Sequence, residues 1–261
     1  MKNSNLTINS KNPPISVLII TYNEEHNIGK LLQTINFADE ILVVDSYSTD
    51  NTIKIAASFP KVRVIQHPFE NYAAQRNFAI GQAKNNWILF LDADERLLSL
   101  LKEEILHTIQ NPQAKDAYYC YRSFMFKNQR LYFSGWQTDK VIRLFKKEKA
   151  LYSLEKTVHE KLIIKGTTGK LKSKLIHYTY IDYSSYKSKM IHYGKLKAVE
   201  ELKKGTKPHF FHFYIRPVYQ FLNQYLLRLG FLDGKNGLTI CYLNALSVAV
   251  RFQELKKLQA D

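Results

Sequence analysis

Residues 87–95, with the sequence WILFLDADE, constrain the fold of this chain more than any other stretch. An apolar run without alternation leads directly into acidic residues. This pattern predicts a strand that is covered on both faces and that ends at the edge of a sheet. In an open α/β sheet the ligand binds beyond the carboxyl ends of the strands, which is where Asp92 and Asp94 are predicted to lie.

Two carboxylates one residue apart suit a hard divalent cation that is shared with a phosphorylated substrate. Mg²⁺ and Mn²⁺ prefer oxygen ligands and usually share them with substrate phosphates. So short a motif is also common as a loop acid followed by a helix N-cap, and the neighbouring segments must decide between the two interpretations.

The first half of the chain alternates apolar runs with segments of helical periodicity. Strands are predicted at 15–20, 40–45, 61–65 and 87–92, with helices at 28–35, 52–59 and 72–83. This order predicts parallel βαβ units with right-handed crossovers. The predicted fold class is therefore α/β, with a mostly parallel sheet flanked by helices.

Acidic residues follow three of these strands, at Glu24, at Asp45, and at Asp92 with Asp94. The glycine-rich dinucleotide fingerprint and the P-loop are both missing from the sequence. A nucleotide would therefore be held in another way, with carboxylates on its base and ribose and a metal ion on its diphosphate.

Segments 15–24, 43–50 and 89–94, taken together and in this order, resemble the family 2 glycosyltransferases, which have the GT-A fold. The resemblance implies a site for a nucleotide-sugar donor and for Mg²⁺ or Mn²⁺. By resemblance, Asp94 is predicted to bind the metal, and the donor nucleotide is predicted to be held by Thr21, Tyr22, Glu24, Asp45, Arg76 and Asp92. Arg76 and Asn77 match an Arg-Asn pair of the family. A position on a solvated helix face is an equally good interpretation of Arg76.

Further short strands are predicted at 131–136, 141–145 and 161–165, on the acceptor side of the site. The residues between them resemble the subgroup that builds the lipopolysaccharide core. Inverting transfer needs a general base for the acceptor hydroxyl. Glu160 is the predicted base and Asp139 the alternative. Other branches of the family carry the base in a Glu-Asp pair at a comparable place, and this chain departs from them in having no such pair.

Two basic residues complete the predicted site. Arg143 is assigned to the leaving diphosphate, although it also suits a surface charge. His159 is assigned to the metal beside Asp94, with orientation of Glu160 and ordinary packing as the alternatives.

Composition changes from residue 171 onward, where lysines and tyrosines accumulate. Two apolar segments, 210–229 and 238–250, flank a turn-rich joint at 230–237. Peripheral attachment to an anionic membrane is favoured over plain core helices. The predicted organisation is a disordered segment at 1–14, a catalytic domain at 15–170 and a helical extension at 171–261.

The net charge of +15 over 261 residues favours an anionic partner: nucleic acid, a phosphorylated sugar or an anionic membrane surface. Cys120 and Cys241 have no metal-ligand spacing, and the polar N-terminus lacks an apolar signal core. These features predict a cytoplasmic protein at the inner face of the cytoplasmic membrane.

The leading hypothesis is an inverting, metal-dependent glycosyltransferase that moves a hexose from a nucleotide sugar to a glycolipid or other saccharide acceptor. By resemblance a UDP-sugar is the expected donor. A nucleotidyltransferase is the first alternative, but such enzymes usually carry a glycine- and basic-rich loop where this chain has residues 21–24. A nucleic-acid-binding protein is the second, and it leaves the clustered acids unexplained, so no nucleic-acid partner is expected.

Overall fold

The computed structural model describes residues 13–154, 161–180 and 182–260. The elements of the first half are β1 (Ile15–Thr21), α1 (Ile28–Thr34), β2 (Glu40–Asp45), α2 (Thr52–Ala57), β3 (Val62–Gln66), α3 (Tyr72–Gln82), β4 (Trp87–Asp92), β5 (Glu95–Arg96), α4 (Ser99–Gln110) and β6 (Ala117–Phe126). The later elements are β7 (Gln129–Arg130), β8 (Lys140–Lys146), β9 (Ala150–Tyr152), β10 (Leu162–Ile164), β11 (Thr168–Lys170), β12 (Leu175–Tyr180), α5 (Tyr183–Lys203), α6 (Arg216–Leu222) and α7 (Gly234–Leu258).

The chain divides into two units. The first unit comprises the residues up to 121 together with 140–175, and the second comprises 122–139 together with the residues from 176 onward. The break at 175 lies near the predicted boundary at 170. The grouping of 122–139 with the C-terminal helices has no counterpart in the sequence analysis.

The first unit is built on a sheet with the strand order β3-β2-β1-β4-β8-β6. β1 pairs in parallel with both β2 and β4, and β2 pairs in parallel with β3. β8 runs antiparallel to both β4 and β6. The predicted α/β class with a mostly parallel sheet is thereby confirmed.

Both faces of this sheet are covered. Successive side chains of a strand point to opposite faces, so Val17 and Ile19 of β1 join one buried cluster while Leu18 joins another. α1 and α4 contribute side chains to the first cluster, and α3 contributes to the second. Burial on both faces is why the strands read as apolar runs without alternation.

One predicted strand is wrong. Residues 131–136 form no strand; instead Ser134 and Gly135 have positive φ angles of 62° and 95°. The backbone N–H groups of Tyr132 and Phe133 donate to the carboxylate of Asp233, at 2.9 and 3.0 Å. Because a distant side chain accepts these hydrogen bonds, the segment does not need a neighbouring strand.

The second unit is organised around the helices α5 and α7. Tyr186 and Met190 of α5 pack in one buried cluster with Ile240 and Leu243 of α7. At Gly194 the two helices approach so closely that a Cβ atom would lie 2.7 Å from the backbone oxygen of Ser247. A glycine is therefore required at this crossing.

Between α5 and α7 the chain is helical but irregular. Two π-helical turns, Phe211–Ile215 and Asn223–Leu227, flank α6. α7 begins at Gly234, inside the predicted joint, and is therefore longer than the predicted apolar segment 238–250. Over the residues that the structure describes, no helix has the length and apolar character needed to cross a bilayer.

Candidate active site

The carboxyl ends of β1, β2 and β4 lie side by side. In the parallel register Thr21 is the partner of Asp45, and Ile20 is the partner of Asp92. The hydroxyl of Thr21 donates to Oδ1 of Asp45 at 3.0 Å. Three of the predicted nucleotide-binding residues, Thr21, Asp45 and Asp92, are therefore brought to one edge of the sheet.

Asp45 is fully buried and organises the turn that follows it. Its carboxylate accepts hydrogen bonds from the backbone N–H and the hydroxyl of Ser48, at 2.8 and 2.5 Å. Together with Thr21 these groups satisfy a carboxylate that would otherwise be costly to bury.

The loops after β1 and β2 are joined by reciprocal hydrogen bonds. The backbone N–H of Asn23 donates to Ser48 Oγ at 2.8 Å, and Thr49 N–H donates to Asn23 Oδ1 at 2.8 Å. Asn23 and Tyr47 both have left-handed backbone conformations, with φ of 54° and 60°. The result is a preformed surface at the sheet edge, from which the Tyr22 side chain is exposed.

Glu24 stands where β1 passes into α1. Its backbone N–H donates to Thr52 Oγ1 at 2.7 Å, and its carboxylate accepts from Asn27 Nδ2 at 2.9 Å. Its carbonyl accepts from the N–H groups of Asn27 and Ile28 at 2.9 Å. Glu24 therefore ties the start of α1 to the first residue of α2, and its contact with a nucleotide stays a prediction.

Asp92 lies between two arginines. Arg76 Nη2 donates to Asp92 Oδ1 at 2.9 Å, and Arg143 Nη2 donates to Asp92 Oδ2. The Arg76 guanidinium also lies 4.9 Å from the ring centroid of Phe90 and 5.4 Å from that of Tyr152. Arg76 thus faces the site from α3 rather than lying on a solvated helix surface.

Glu95 is a further member of this cluster and is absent from the predicted site residues. It is fully buried, and it accepts from Asp92 N–H at 3.0 Å and from Arg143 Nη2 at 2.6 Å. The sequence does contain an indication that such an acidic residue exists. Arg143 is a charged residue within the apolar strand β8, and a buried charge requires a counter-ion.

Arg143 is only 3% exposed, so it is not a surface charge. Burial by itself lowers the pKa of its guanidinium, but the carboxylates of Asp92 and Glu95 outweigh burial and raise that pKa well above the ordinary value. The cation is therefore permanent, and it holds two carboxylates in fixed positions.

Asn77, the neighbour of Arg76, links α3 to β9. Its side-chain Nδ2 donates to the carbonyl of Tyr152 at 2.9 Å, and the N–H of Tyr152 donates to Asn77 Oδ1 at 2.8 Å. Both ends of the amide are used in this way, and they hold the Tyr152 ring near Arg76.

Asp94 lies two residues beyond Asp92 and is half-buried. Over the described residues, no group of three or more histidine, cysteine or acidic side chains forms a metal-binding set. This donor set does not fit a cage made by the protein alone. It does fit a cation that takes one or two carboxylates and completes its shell with substrate phosphates and water.

The remaining predicted residues are His159, Glu160 and Asp139. His159 and Glu160 lie outside the described residues. Asp139 belongs to the second unit, where its carboxylate accepts from Arg122 Nε at 2.6 Å. Trp136, in the same segment, packs against Phe124 with ring centroids 4.1 Å apart.

The segment that carries these strand ends also matches a known family. The model described as "Glycosyl transferase family 2" matches residues 16–168, which is more than half of the chain. The chain belongs to glycosyltransferase family 2. It is thus a glycosyltransferase, and the predicted family and enzyme class are confirmed.

Relatives of this glycosyltransferase match it over most of their length. A lipopolysaccharide core biosynthesis glycosyltransferase, LpsC of Rhizobium meliloti (strain 1021), is 28% identical over 255 residues, which are 91% of this chain and 93% of the relative. An uncharacterized glycosyltransferase of Rickettsia typhi is 28% identical over 256 residues, covering 94% of this chain and 87% of the relative.

A solved structure similar to this glycosyltransferase is that of S. aureus TarS residues 1–349 in complex with UDP. The two share 14% identity and a TM-score of 0.49, with 95% of this chain and 91% of that chain covered.

Proposed function

We propose that this glycosyltransferase moves a hexose from a nucleotide sugar, with a UDP-sugar as the expected donor, to a glycolipid or other saccharide acceptor of the lipopolysaccharide-core type, with inversion. The alignment of Thr21, Asp45 and Asp92 at one edge of the sheet is the observation that carries the proposal. The name of the Rhizobium relative supports the acceptor class. The proposal includes a cytoplasmic location at the inner face of the membrane, where a lipid-linked acceptor would be presented.

The nucleoside is assigned to the surface formed by the loops after β1 and β2. Tyr22 is exposed there and supplies an aromatic face, while the half-buried Glu24 supplies hydrogen-bond acceptors for N–H and ribose hydroxyl groups. Asp45 is fully buried, and its proposed contribution to nucleotide binding is to hold Thr21 and Ser48 in place beneath this surface. The hydrogen bonds between the two loops fix these groups before the donor arrives, which reduces the ordering cost of binding.

Asp94 is assigned to a divalent cation, Mg²⁺ or Mn²⁺, that it would hold together with the donor diphosphate. When bound, such a cation neutralises the charge that develops on the leaving diphosphate. Asp92 is assigned to the ribose, and the two arginines on its carboxylate orient it for this contact.

For Arg143 we replace the predicted diphosphate contact by a positioning role. Its Nη2 atom is bound to Asp92 and Glu95, and its side chain is buried. Arg143 and Glu95 together hold the start of the Asp92–Asp94 turn, since Glu95 also accepts the N–H of Asp92. Arg143 therefore acts through Asp92 rather than on the substrate.

The metal assignment is tested by Asp94→Asn. We expect hydrolysis of a UDP-sugar to fall at least about a hundredfold, because the cation would lose its protein carboxylate. Nucleotide release is measured over a panel of UDP-, GDP- and CMP-sugars with Mg²⁺ or Mn²⁺. The matched control is Glu103→Gln, which neutralises an exposed acid on α4 and should leave turnover unchanged. Full turnover by folded Asp94→Asn protein would remove the metal role.

The base assignment is tested by comparing Glu160→Gln with Asp139→Asn. Glu160 remains the proposed base, and its variant should still bind donor but lose transfer to an acceptor, because no group would take the hydroxyl proton. Asp139→Asn should retain transfer, since its carboxylate is paired with Arg122. Loss of transfer in Asp139→Asn alone would move the base to Asp139.

A further inference from the structure

The helical segment before α7 turns its apolar side chains outward. Phe211, Tyr214, Ile215, Val218, Tyr219 and Leu222 recur at helical spacing, and all six are exposed, with Tyr214 at 62% and Val218 at 57%. We call these six residues the exposed apolar stripe. Soluble helices normally place such a stripe against the core, and contiguous exposed apolar patches mark interaction sites.

The orientation of this segment is set by the contacts of its other face. The ring of His212 lies 4.7 Å from that of Phe252 in α7, and Phe213 packs on the cluster of Ala198, Phe252 and Leu255. Asn244 Nδ2 of α7 donates to Gln224 Oε1 at 2.8 Å. Rolling the stripe inward would break these contacts, so the second unit holds the stripe exposed.

The segment that carries the stripe has charged residues of one sign only, although Glu201, just before it, pairs with Lys204. Residues 202–232 contain no aspartate or glutamate, and their five basic residues are Lys203, Lys204, Lys207, Arg216 and Arg228. A second copy docked stripe to stripe would bring two such sets of cations together, which is unfavourable. A surface with fixed negative charge and an apolar interior would satisfy both the stripe and the cations.

We propose that the exposed apolar stripe docks on the surface of an anionic phospholipid bilayer. The Phe and Tyr rings enter the headgroup boundary, and the lysines of the segment lie against lipid phosphates. The helix lies in the plane of the membrane. This inference rests on the proposed membrane location and names the residues that make it, and its test is independent of the transfer reaction.

The test is co-sedimentation of the full chain with vesicles. We expect binding to vesicles of phosphatidylcholine mixed with phosphatidylglycerol, and weaker binding to phosphatidylcholine alone or at high salt. The triple variant Phe211→Ser, Val218→Ser, Leu222→Ser should lose on the order of tenfold or more in partitioning. Its hydrolysis of a UDP-sugar should equal that of the wild type, so failure of docking is distinguishable from failure of the proposed chemistry.

The matched control is Leu100→Ser with Ile163→Ser, two exposed apolar residues of the first unit, which should leave vesicle binding unchanged. Equal loss in the control, or wild-type binding by the triple variant, overturns the proposal. The proposal is also overturned if the wild type is a dimer that does not bind vesicles while the triple variant is a monomer. The stripe would then pack against a second copy of the chain.

A single substitution keeps the test valid if the triple variant fails to fold. Tyr219→Trp places an indole at an exposed position of the stripe. Its fluorescence should shift to shorter wavelength with the mixed vesicles, by more than any change in the wild type, which has only Trp87 and Trp136. An unshifted spectrum at saturating vesicle concentration overturns the proposal.

Discussion

The strand-end edge of the first unit and the helical segment of the second unit depart from ordinary burial in opposite directions. At the edge, Arg143 and Glu95 are charged and buried, and each is held by hydrogen bonds to its neighbours. In the second unit, Tyr214 and Val218 are apolar and exposed, without a covering element among the described residues. The charged groups of the first arrangement are paired within the chain, whereas the second arrangement is the surface that we propose docks on a membrane.

The two regions show two different structural features that indicate a functional surface: a buried cluster of charges and an exposed apolar stripe. A buried ion cluster stabilises the chain little on balance, because desolvation offsets attraction, but it holds its members in one geometry. An exposed apolar stripe lowers solubility unless a membrane or a protein covers it. The first suits a group that must meet substrate at a fixed position, and the second suits docking.

The largest expected effect in this comparison comes from Arg143→Met. Removing the guanidinium leaves Asp92 and Glu95 as neighbouring, poorly compensated carboxylates, and we expect the free energy of unfolding to fall by about 3–5 kcal/mol. The control in the second unit is Lys204→Met, which breaks an exposed pair with Glu201 and should cost no more than about 1 kcal/mol. Urea unfolding measures both, and equal losses would contradict the closed cluster.

A smaller effect is expected from adding a methyl group at a glycine in each unit. Gly194→Ala places a Cβ atom 2.7 Å from the backbone oxygen of Ser247, and separating α5 from α7 should cost about 1–3 kcal/mol. Gly81→Ala in α3 meets nothing within 4 Å, so it should stabilise by about 0.5–1 kcal/mol through helix propensity. Thermal unfolding should give shifts of opposite sign; two destabilised variants would show that α3 is also closely packed.

The smallest effect concerns the pH dependence of stability. In the first unit, hydrogen bonds from the backbone and side chain of Thr167 and from Lys146 lower the pKa of Asp116 to about 2, from 3.8. The pKa of Asp116 is lower in the folded state than in the unfolded state. The ionised carboxylate therefore stabilises the fold fully above pH 3.8, and this stabilisation is lost as the pH falls through about 2. Asp116→Asn should therefore have a lower free energy of unfolding than the wild type at neutral pH. The difference between the two free energies should become smaller below pH 4.

The second unit offers a counterpart in Asp182, the N-cap of α5. Hydrogen bonds from the backbone and side chain of Ser185 lower the pKa of its carboxyl group. Asp182→Asn should show the same narrowing toward acid pH when free energies of unfolding are compared. A gap that widens as pH falls, in either variant, would contradict the sign argued here.

Much of the fold follows from local sequence patterns. The four parallel strands can be predicted from the sequence because burial on both faces selects apolar residues at successive positions, as in β4. The convergence of Asp45 and Asp92 follows from the same pattern, since parallel strands end at a common edge. The strand predicted at 131–136 does not form, because the backbone N–H groups of Tyr132 and Phe133 donate to Asp233, about a hundred residues away in the sequence.

The sequence by itself determined the class of sheet, the family and the edge at which the acids gather, because these depend on periodicity and on residues adjacent in the chain. Only the tertiary structure decided that Arg143 is buried on Glu95, 48 residues away, and that the segment before α7 faces outward. Periodicity reveals that a helix has an apolar face, but its packing partners decide which way that face points. For the same reason the role of a charged side chain depends on the counter-ion that folding brings to it.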